Sequence, residues 1–222
     1  MNQTKGCFFP NFIPEDDAFL ELVDYEKVLP KVWDILGWNI YLYHAHLIVT
    51  PPTGLSESSK TFGWHQDSGR INRDIETSPR PRISLKVAYF LSDVSEPGRG
   101  NFWIVPNSHL NDNLQIPKGE GQPEGAIPVC VKPGTAVFFD RRLWHAASPN
   151  WSEVTRKVLF YGYGYRWIRT KDEMTVQSLW EKCDPIQRQL LGDGVNCNGY
   201  YTPTDEDAPL KVWLQEHRPE LV

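Results

Sequence analysis

The 222-residue chain reads as a mainly β protein with helices at both ends, and three observations predict it. Short apolar runs recur between residues 38 and 168, Gly and Pro clusters divide them, and helix-like patterns occur only before and after. Eighteen Pro and sixteen Gly supply the turns such a chain needs, and many short strands between turns imply a sandwich or barrel.

The elements follow in order. Pro14-Glu15-Asp16-Asp17 opens a helix, its acidic residues suiting the positive end of the helix dipole. Asp24 to Leu36 forms a second helix, closed by Gly37. Asn39 to Val49, rich in Tyr, Ile, Leu and Val, is the first strand, and alternation puts His44, His46, Ile48 and Thr50 on one face. Pro51-Pro52-Thr53-Gly54 stops it, Leu55 to Thr61 is a polar loop, and Phe62 to Gln66 is short and aromatic. Arg70 to Arg82 is charged and carries two prolines, so it reads as a loop bordering a site. Ile83 to Leu91 is a strand with Ile83, Leu85, Val87, Tyr89 and Leu91 on one face. Pro97-Gly98-Arg99-Gly100 is a turn, and Asn101 to Val105, Ala126 to Lys132, Ala136 to Asp140 and Lys157 to Tyr165 complete the strands. Asp184-Pro185 opens a helix that Gly192 ends, and Asp207 to His217 is another. The organisation expected is a single domain over 1–222, with a β-core at about 38–168 and a helical tail at about 172–222 packed on it.

Composition narrows the partners. A net charge of -5 argues against nucleic acid. No window approaches the ~18 apolar residues a membrane span requires, and Met1 to Gly6 leads into no apolar run, so no signal peptide is expected. Cys7, Cys130, Cys183 and Cys197 form no C-x-x-C pair, which suits reduced thiols in the cytoplasm. The partner expected is a small molecule, bound by a monomer or homodimer.

The chemistry gathers around Gly63-Trp64-His65-Gln66-Asp67. On an extended segment residues i and i+2 point the same way, so His65 and Asp67 can face one ion. Leu143-Trp144-His145 offers a second imidazole. Two imidazoles and a carboxylate on one side of a metal leave the other side open, which suits non-haem Fe(II) with a cosubstrate and O2 to accommodate. A lone H-x-D is common by chance. Here it follows an aromatic, extended segment and precedes a polar loop. His145 ends a strand that Pro133-Gly134-Thr135 opens, and the chain has only six His to place.

Arg156, eleven residues after His145, opens the strand Thr155-Arg156-Lys157-Val158-Leu159-Phe160-Tyr161. An Arg in a largely buried strand wants an anion, and a carboxylate gives it a paired, charge-assisted contact. In a plain hairpin turning at Asn150-Trp151, His145 and Arg156 would be neighbours roughly 5 Å apart, too close for a bridging molecule. On facing sheets of a jelly roll the gap is about 10 Å, room for a five-carbon keto-diacid. The second arrangement is preferred.

Taken together, Trp64-His65-Gln66-Asp67, the block Gly100-Asn101-Phe102-Trp103-Ile104-Val105-Pro106-Asn107-Ser108-His109, and His145 with Arg156 resemble the phytanoyl-CoA dioxygenase family. The resemblance covers about residues 38 to 168. It implies a double-stranded β-helix (a jelly-roll, cupin-like fold) and an Fe(II)- and 2-oxoglutarate-dependent oxygenase. It implies His65, Asp67 and His145 on iron and Arg156 on 2-oxoglutarate. Tyr89 matches a position where the family places an aromatic beside the cosubstrate. Two departures stand out. Asn107 replaces the Gly of the family's P-G-S-H turn, whose His is not a ligand, so His109 is not assigned to metal. Ala147 replaces a Ser that often supports the far carboxylate, which leaves the Tyr89 hydroxyl to help Arg156. Related halogenases carry Gly or Ala where this chain has Asp67, so hydroxylation of an unactivated C–H, with release of succinate and CO2, is the expected outcome.

Substrate contacts are expected from His44, His46, Arg70, Asn101 and Trp103. Desaturation, epimerisation or cyclisation at the same site are alternatives. A non-catalytic, cupin-like metal- or ligand-binding module is an alternative of another class. A zinc hydrolase fits less well, because no general base stands beside the motif.

Overall fold

The structure is a computed structural model that describes residues 6–53, 62–67, 69–114, 116, 122–194 and 204–222. Among the described residues there are eight strands and five short α-helices. The strands are β1 (Cys7–Pro10), β2 (Ile40–Thr50), β3 (Ser84–Phe90), β4 (Phe102–Ile104), β5 (Ile127–Val129), β6 (Ala136–Asp140), β7 (His145–Ala147) and β8 (Arg156–Tyr165). The helices are α1 (Asp17–Leu20), α2 (Leu29–Leu36), α3 (Gly69–Asp74), α4 (Pro185–Leu190) and α5 (Pro209–His217). Five strands form a sheet in the order β1-β2-β8-β3-β6, and three form a second, β5-β4-β7.

Contacts sort the chain into two compact units, each discontinuous in sequence. The first gathers residues 1–8, 47–82 and 88–159. Its three-stranded sheet is antiparallel, with Phe102 opposite Ala147 and Ile104 opposite His145 across β4 and β7, and Ile104 opposite Ile127 across β4 and β5. His145 opens β7 instead of ending β6: β6 stops at Asp140, where Leu143 N–H donates to the Asp140 carbonyl and the Asp140 carboxylate takes Arg142 N–H and guanidinium hydrogen bonds. That turn redirects the chain into the other sheet. His145 and Arg156 therefore lie on strands of different sheets, as preferred over a hairpin. The expected loop at 70–82 begins as a helix, α3, which buries Asn72. Asn107 takes φ 61°, a left-handed conformation that Asn tolerates better than most residues, so it can fill a glycine's place in the turn. The polar loop expected at 55–61 lies outside the described residues.

The second unit gathers residues 9–46, 83–87 and 160–222. Asp16 caps α1 by accepting from Ala18 N–H. The second helix begins at Leu29, not Asp24. Pro30 fits only its first turn, where no amide donor is needed, and Gly37 at φ 81° ends it as expected. Tyr161 and Tyr163 of β8 donate their hydroxyls to the Phe19 and Val23 carbonyls, at 2.8 and 2.7 Å. α4 opens with a reciprocal cap between Asp184 and Gln187, so the helix start read from Asp184-Pro185 holds. Buried Gln189 donates to the Trp38 and Ile40 carbonyls and accepts from Leu210 N–H, tying α4 to β2 and α5.

β3 is buried along its whole length, so its two-residue period does not divide a wet face from a dry one. Lys86 is consequently buried, and its ammonium lies 5.9 Å from the Phe160 ring centre. Next to it His44 is bonded through Nδ1 to Asp172, and its ring centre is 4.3 Å from that of His46. Burial, then the charges of Lys86 and Lys171, hold the His44 pKa down to about 4 against the opposing pull of Asp172. The folded state thus keeps His44 neutral at pH values where the unfolded chain protonates it. Its contribution is complete above about pH 6.5 and is lost as the pH falls toward 4, at up to about 1.4 kcal/mol per pH unit. Denaturant unfolding of His44→Gln is expected to show a flatter loss of stability between pH 6.5 and 5 than the parent; equal slopes would contradict this.

Candidate metal centre and anion site

The first unit brings His65, Asp67 and His145 together. Their donor atoms lie within 4.8 Å of one another, and among the described residues they are the one such cluster of His, Cys, Asp or Glu. The backbone builds the cluster directly. His65 and His145 form an antiparallel bridge, each N–H donating to the other's carbonyl at 2.9 Å, so their ring centres lie 4.3 Å apart with the planes tilted by 55°. Asp67 N–H donates to the Arg141 carbonyl at 2.9 Å, which turns the buried carboxylate toward His145, with Oδ2 3.9 Å from Nε2.

Both imidazoles are oriented from behind. His65 Nδ1 bonds the Gly63 carbonyl at 2.9 Å, and His145 Nδ1 bonds the Leu143 carbonyl at 2.8 Å. A carbonyl can only accept, so each Nδ1 carries the proton and each Nε2 keeps a lone pair for a metal. The rings of Phe102 and Phe139 lie 5.3 and 5.2 Å from His145 and keep its surroundings apolar. Two nitrogen donors and one carboxylate, preset in tautomer, fit a divalent transition metal. Bonds of about 2.1 Å to one ion would draw the three donors closer together than the 4.8 Å within which they stand.

Arg156 is 2% exposed, and its Nε and Nη1 have no hydrogen-bond partner among the described residues. Burial alone lowers its pKa to about 10. The Phe90 ring centre lies 5.7 Å from its guanidinium carbon. Tyr89, expected beside the cosubstrate, is one residue earlier on β3 and so turns to the opposite face; Phe90 is the aromatic that accompanies Arg156.

Gly100 gives Arg156 its space. A Cβ there would stand 2.9 Å from Arg156 Cδ, and Gly100 has φ 71°, a conformation that strains an L residue. Gly100→Ala is expected to lower stability by about 1–3 kcal/mol in denaturant unfolding, with the shift centred on Arg156.

The other residues expected at the site have different neighbours. The Asn101 side chain is wholly buried and bonds the Val94 and Val129 carbonyls and Arg99 N–H, so it shapes the Pro97–Gly100 turn. Trp103 lies on the face of β4 opposite to Ile104 and His145, edge-on to Phe62 at 5.3 Å. Arg70 is 78% exposed and pairs with Asp74 one helical turn on, a solvated ion pair. His44 and His46 belong to the second unit, where His44 holds Asp172 and His46 stacks on Phe160 at 4.7 Å.

A family model of phytanoyl-CoA dioxygenase matches residues 11–158, about two thirds of the chain. The chain belongs to the phytanoyl-CoA dioxygenase family. Within curated proteins this family member is 28% identical over 170 residues to a probable alpha-ketoglutarate-dependent hypophosphite dioxygenase of Stutzerimonas stutzeri, covering 66% of this chain and 53% of that protein. It is 26% identical over 168 residues to an ectoine dioxygenase of Streptomyces coelicolor, covering 65% and 54%. The chain thus spans about half the length of these two relatives. Among solved structures it superposes on HygX from Streptomyces hygroscopicus with iron bound, at a TM-score of 0.58 and 18% identity, covering 73% of this chain and 74% of that one. That likeness speaks to fold: this dioxygenase-family chain has the jelly-roll-like double-stranded β-helix expected, with helices flanking the strands. No helix among the described residues is long and apolar enough to cross a membrane.

Proposed function

We propose that the chain is an Fe(II)- and 2-oxoglutarate-dependent oxygenase that hydroxylates a small molecule at an unactivated C–H. His65, Asp67 and His145 would hold the iron through Nε2, a carboxylate oxygen and Nε2. Arg156 would hold the far carboxylate of 2-oxoglutarate. The chemistry the bound iron supplies is O2 activation coupled to decarboxylation of 2-oxoglutarate, which gives succinate, CO2 and an oxidant able to attack C–H. The protein's part is to fix positions and exclude water.

The observation that carries this reading is Arg156. A fully charged guanidinium buried with two donors unmet is costly unless an anion completes it, and it sits in the same unit as the only metal-competent cluster among the described residues. A structural Arg would have its donors satisfied by the fold, as Arg142 has with Asp140 and the Arg80 carbonyl. A plain metal-binding module would need no such cation. The names of the two curated relatives, which act on hypophosphite and ectoine, support a small polar substrate. Free Cys7, Cys130 and Cys183 suit a reducing, cytoplasmic setting.

Anaerobic titration with Fe(II) and then 2-oxoglutarate is expected to develop a weak visible charge-transfer band that is lost in His65→Ala. Succinate release in O2, with product mass, then separates hydroxylation (a gain of one oxygen) from desaturation, epimerisation and cyclisation. No band and no succinate with any small molecule would leave the binding-module alternative.

A further inference from the structure

The site's carboxylate is aimed by a clamp in which α3 takes part. Asn72, buried on α3, stands at its centre. Its Nδ2 donates to the Asp67 carbonyl and to Gln66 Oε1, both at 3.3 Å. Its Oδ1 accepts from Nη1 of Arg141, which is wholly buried. Its own carbonyl accepts from Arg80 Nε at 2.5 Å, and Arg80 is in turn paired with Asp112 at 2.7 Å. Gln66, the middle residue of the His65-Gln66-Asp67 motif, uses its amide nitrogen on the Arg142 carbonyl.

Asp67 is therefore gripped by its main chain at both ends. Its N–H goes to the Arg141 carbonyl and its C=O receives Asn72. With both peptide groups fixed, the direction of the Cα–Cβ bond is fixed, and with it the point from which the carboxylate reaches.

We infer that Asn72, with Gln66 and Arg141, is a positioning residue for metal binding: it presets Asp67 so that the carboxylate and the two imidazoles meet at one ion. The inference rests on the metal reading above. Outer-shell partners of metal ligands change metal affinity by about 10–100-fold when lost. The Asn72 amide is singular because it joins two tasks in one side chain. Its oxygen anchors Arg141, a fold contact, and its nitrogen anchors Asp67, a site contact.

Asn72→Asp separates the two. The carboxylate keeps an acceptor for Arg141, and beside Arg80 and Arg141 its charge is compensated, but it has no donor for Asp67 or Gln66. Mn(II) binding to the metal-free chain, read from loss of the free-ion EPR signal, is expected to weaken about 10–100-fold in both Asn72→Asp and Asn72→Ala. Thermal unfolding of metal-free Asn72→Asp should stay close to the parent, and its Co(II) d–d spectrum should shift. Parent-like Mn(II) affinity in a folded Asn72→Asp would overturn the clamp while leaving the oxygenase reading intact. Equal losses of affinity and of thermal stability in Asn72→Asp would make Asn72 a structural residue and overturn it too. A parent chain that binds no Mn(II), Co(II) or Fe(II) would instead bring down the metal reading, and the clamp with it.

Discussion

Replacing Arg156 by Met is expected to leave the ligand-free chain as stable as before, or more so, while weakening 2-oxoglutarate by about a hundredfold or more. The two effects have one cause. The guanidinium is buried, its Nε and Nη1 meet no hydrogen-bond partner among the described residues, and burial already pulls its pKa down to about 10. A cation in that condition opposes folding, and an unbranched apolar side chain of similar reach removes the burden while still packing on Phe90. With the diacid bound, the balance reverses. The carboxylate would supply a paired partner, and losing one member of a buried charge pair costs about 2–5 kcal/mol, which is roughly 30-fold to several-thousand-fold in affinity. Arg156→Lys keeps the charge without the planar fork and should fall between. Unfolding of the ligand-free variants and 2-oxoglutarate saturation of succinate release measure the two halves. A strongly destabilised Met variant would mark Arg156 as a structural cation, and unchanged saturation would move the cosubstrate elsewhere.

Much of the frame was legible because local rules governed it. β6 was read to the residue and β2 to within one, since Pro133-Gly134 precedes the one and Pro51-Pro52 follows the other. The capping pattern at Asp184 and the stop at Gly192 are local signals that tertiary packing did not override. The gathering of His65, Asp67 and His145 was legible for a similar reason. A two-residue spacing on extended backbone sets His65 beside Asp67 whatever surrounds them, and the only open question was which distant His would bridge back. Arg156 announced itself as a charge in an apolar strand.

What the chain concealed depends on partners far apart in sequence. Nothing local marks Asn72 as a hub, because its meaning comes from Arg141, 69 residues away, and from Arg80. A short charged segment with prolines reads as a solvated loop unless those partners are known. The same segment misled on Arg70, whose nearness to the motif suggested a site role although its charge faces solvent beside Asp74. Tyr89 was misplaced by one residue of strand phase. Because β3 is buried on both faces, its pattern cannot say which side looks toward Arg156, and Phe90 does. Asn101 carried the polar character of a site residue, but its side chain is spent on Arg99 N–H and on the Val94 and Val129 carbonyls.

Removing the carboxylate should have the other large effect. Asp67→Ala is expected to weaken Fe(II) or Mn(II) by more than about a hundredfold and to abolish succinate release, with the ligand-free fold unharmed. Loss of an outer-shell partner alone costs about 10–100-fold, and loss of a direct ligand must cost more. The fold is spared because the contacts that place Asp67 run through its main chain, to the Arg141 carbonyl and from Asn72, and Ala keeps both. The side chain itself stands buried with Oδ2 3.9 Å from His145 Nε2, where the two can close on one ion. Asp67→Glu sharpens the point. The same charge on a longer stem starts from a main chain that is clamped and cannot retreat, so the oxygen overshoots, and affinity should fall well below the parent despite an unchanged donor set. Were Glu to bind metal as well as Asp, the main-chain clamp would not be what aims the carboxylate. Were Ala to do so, two imidazoles would suffice, and Asp67 would have to be explained without a metal.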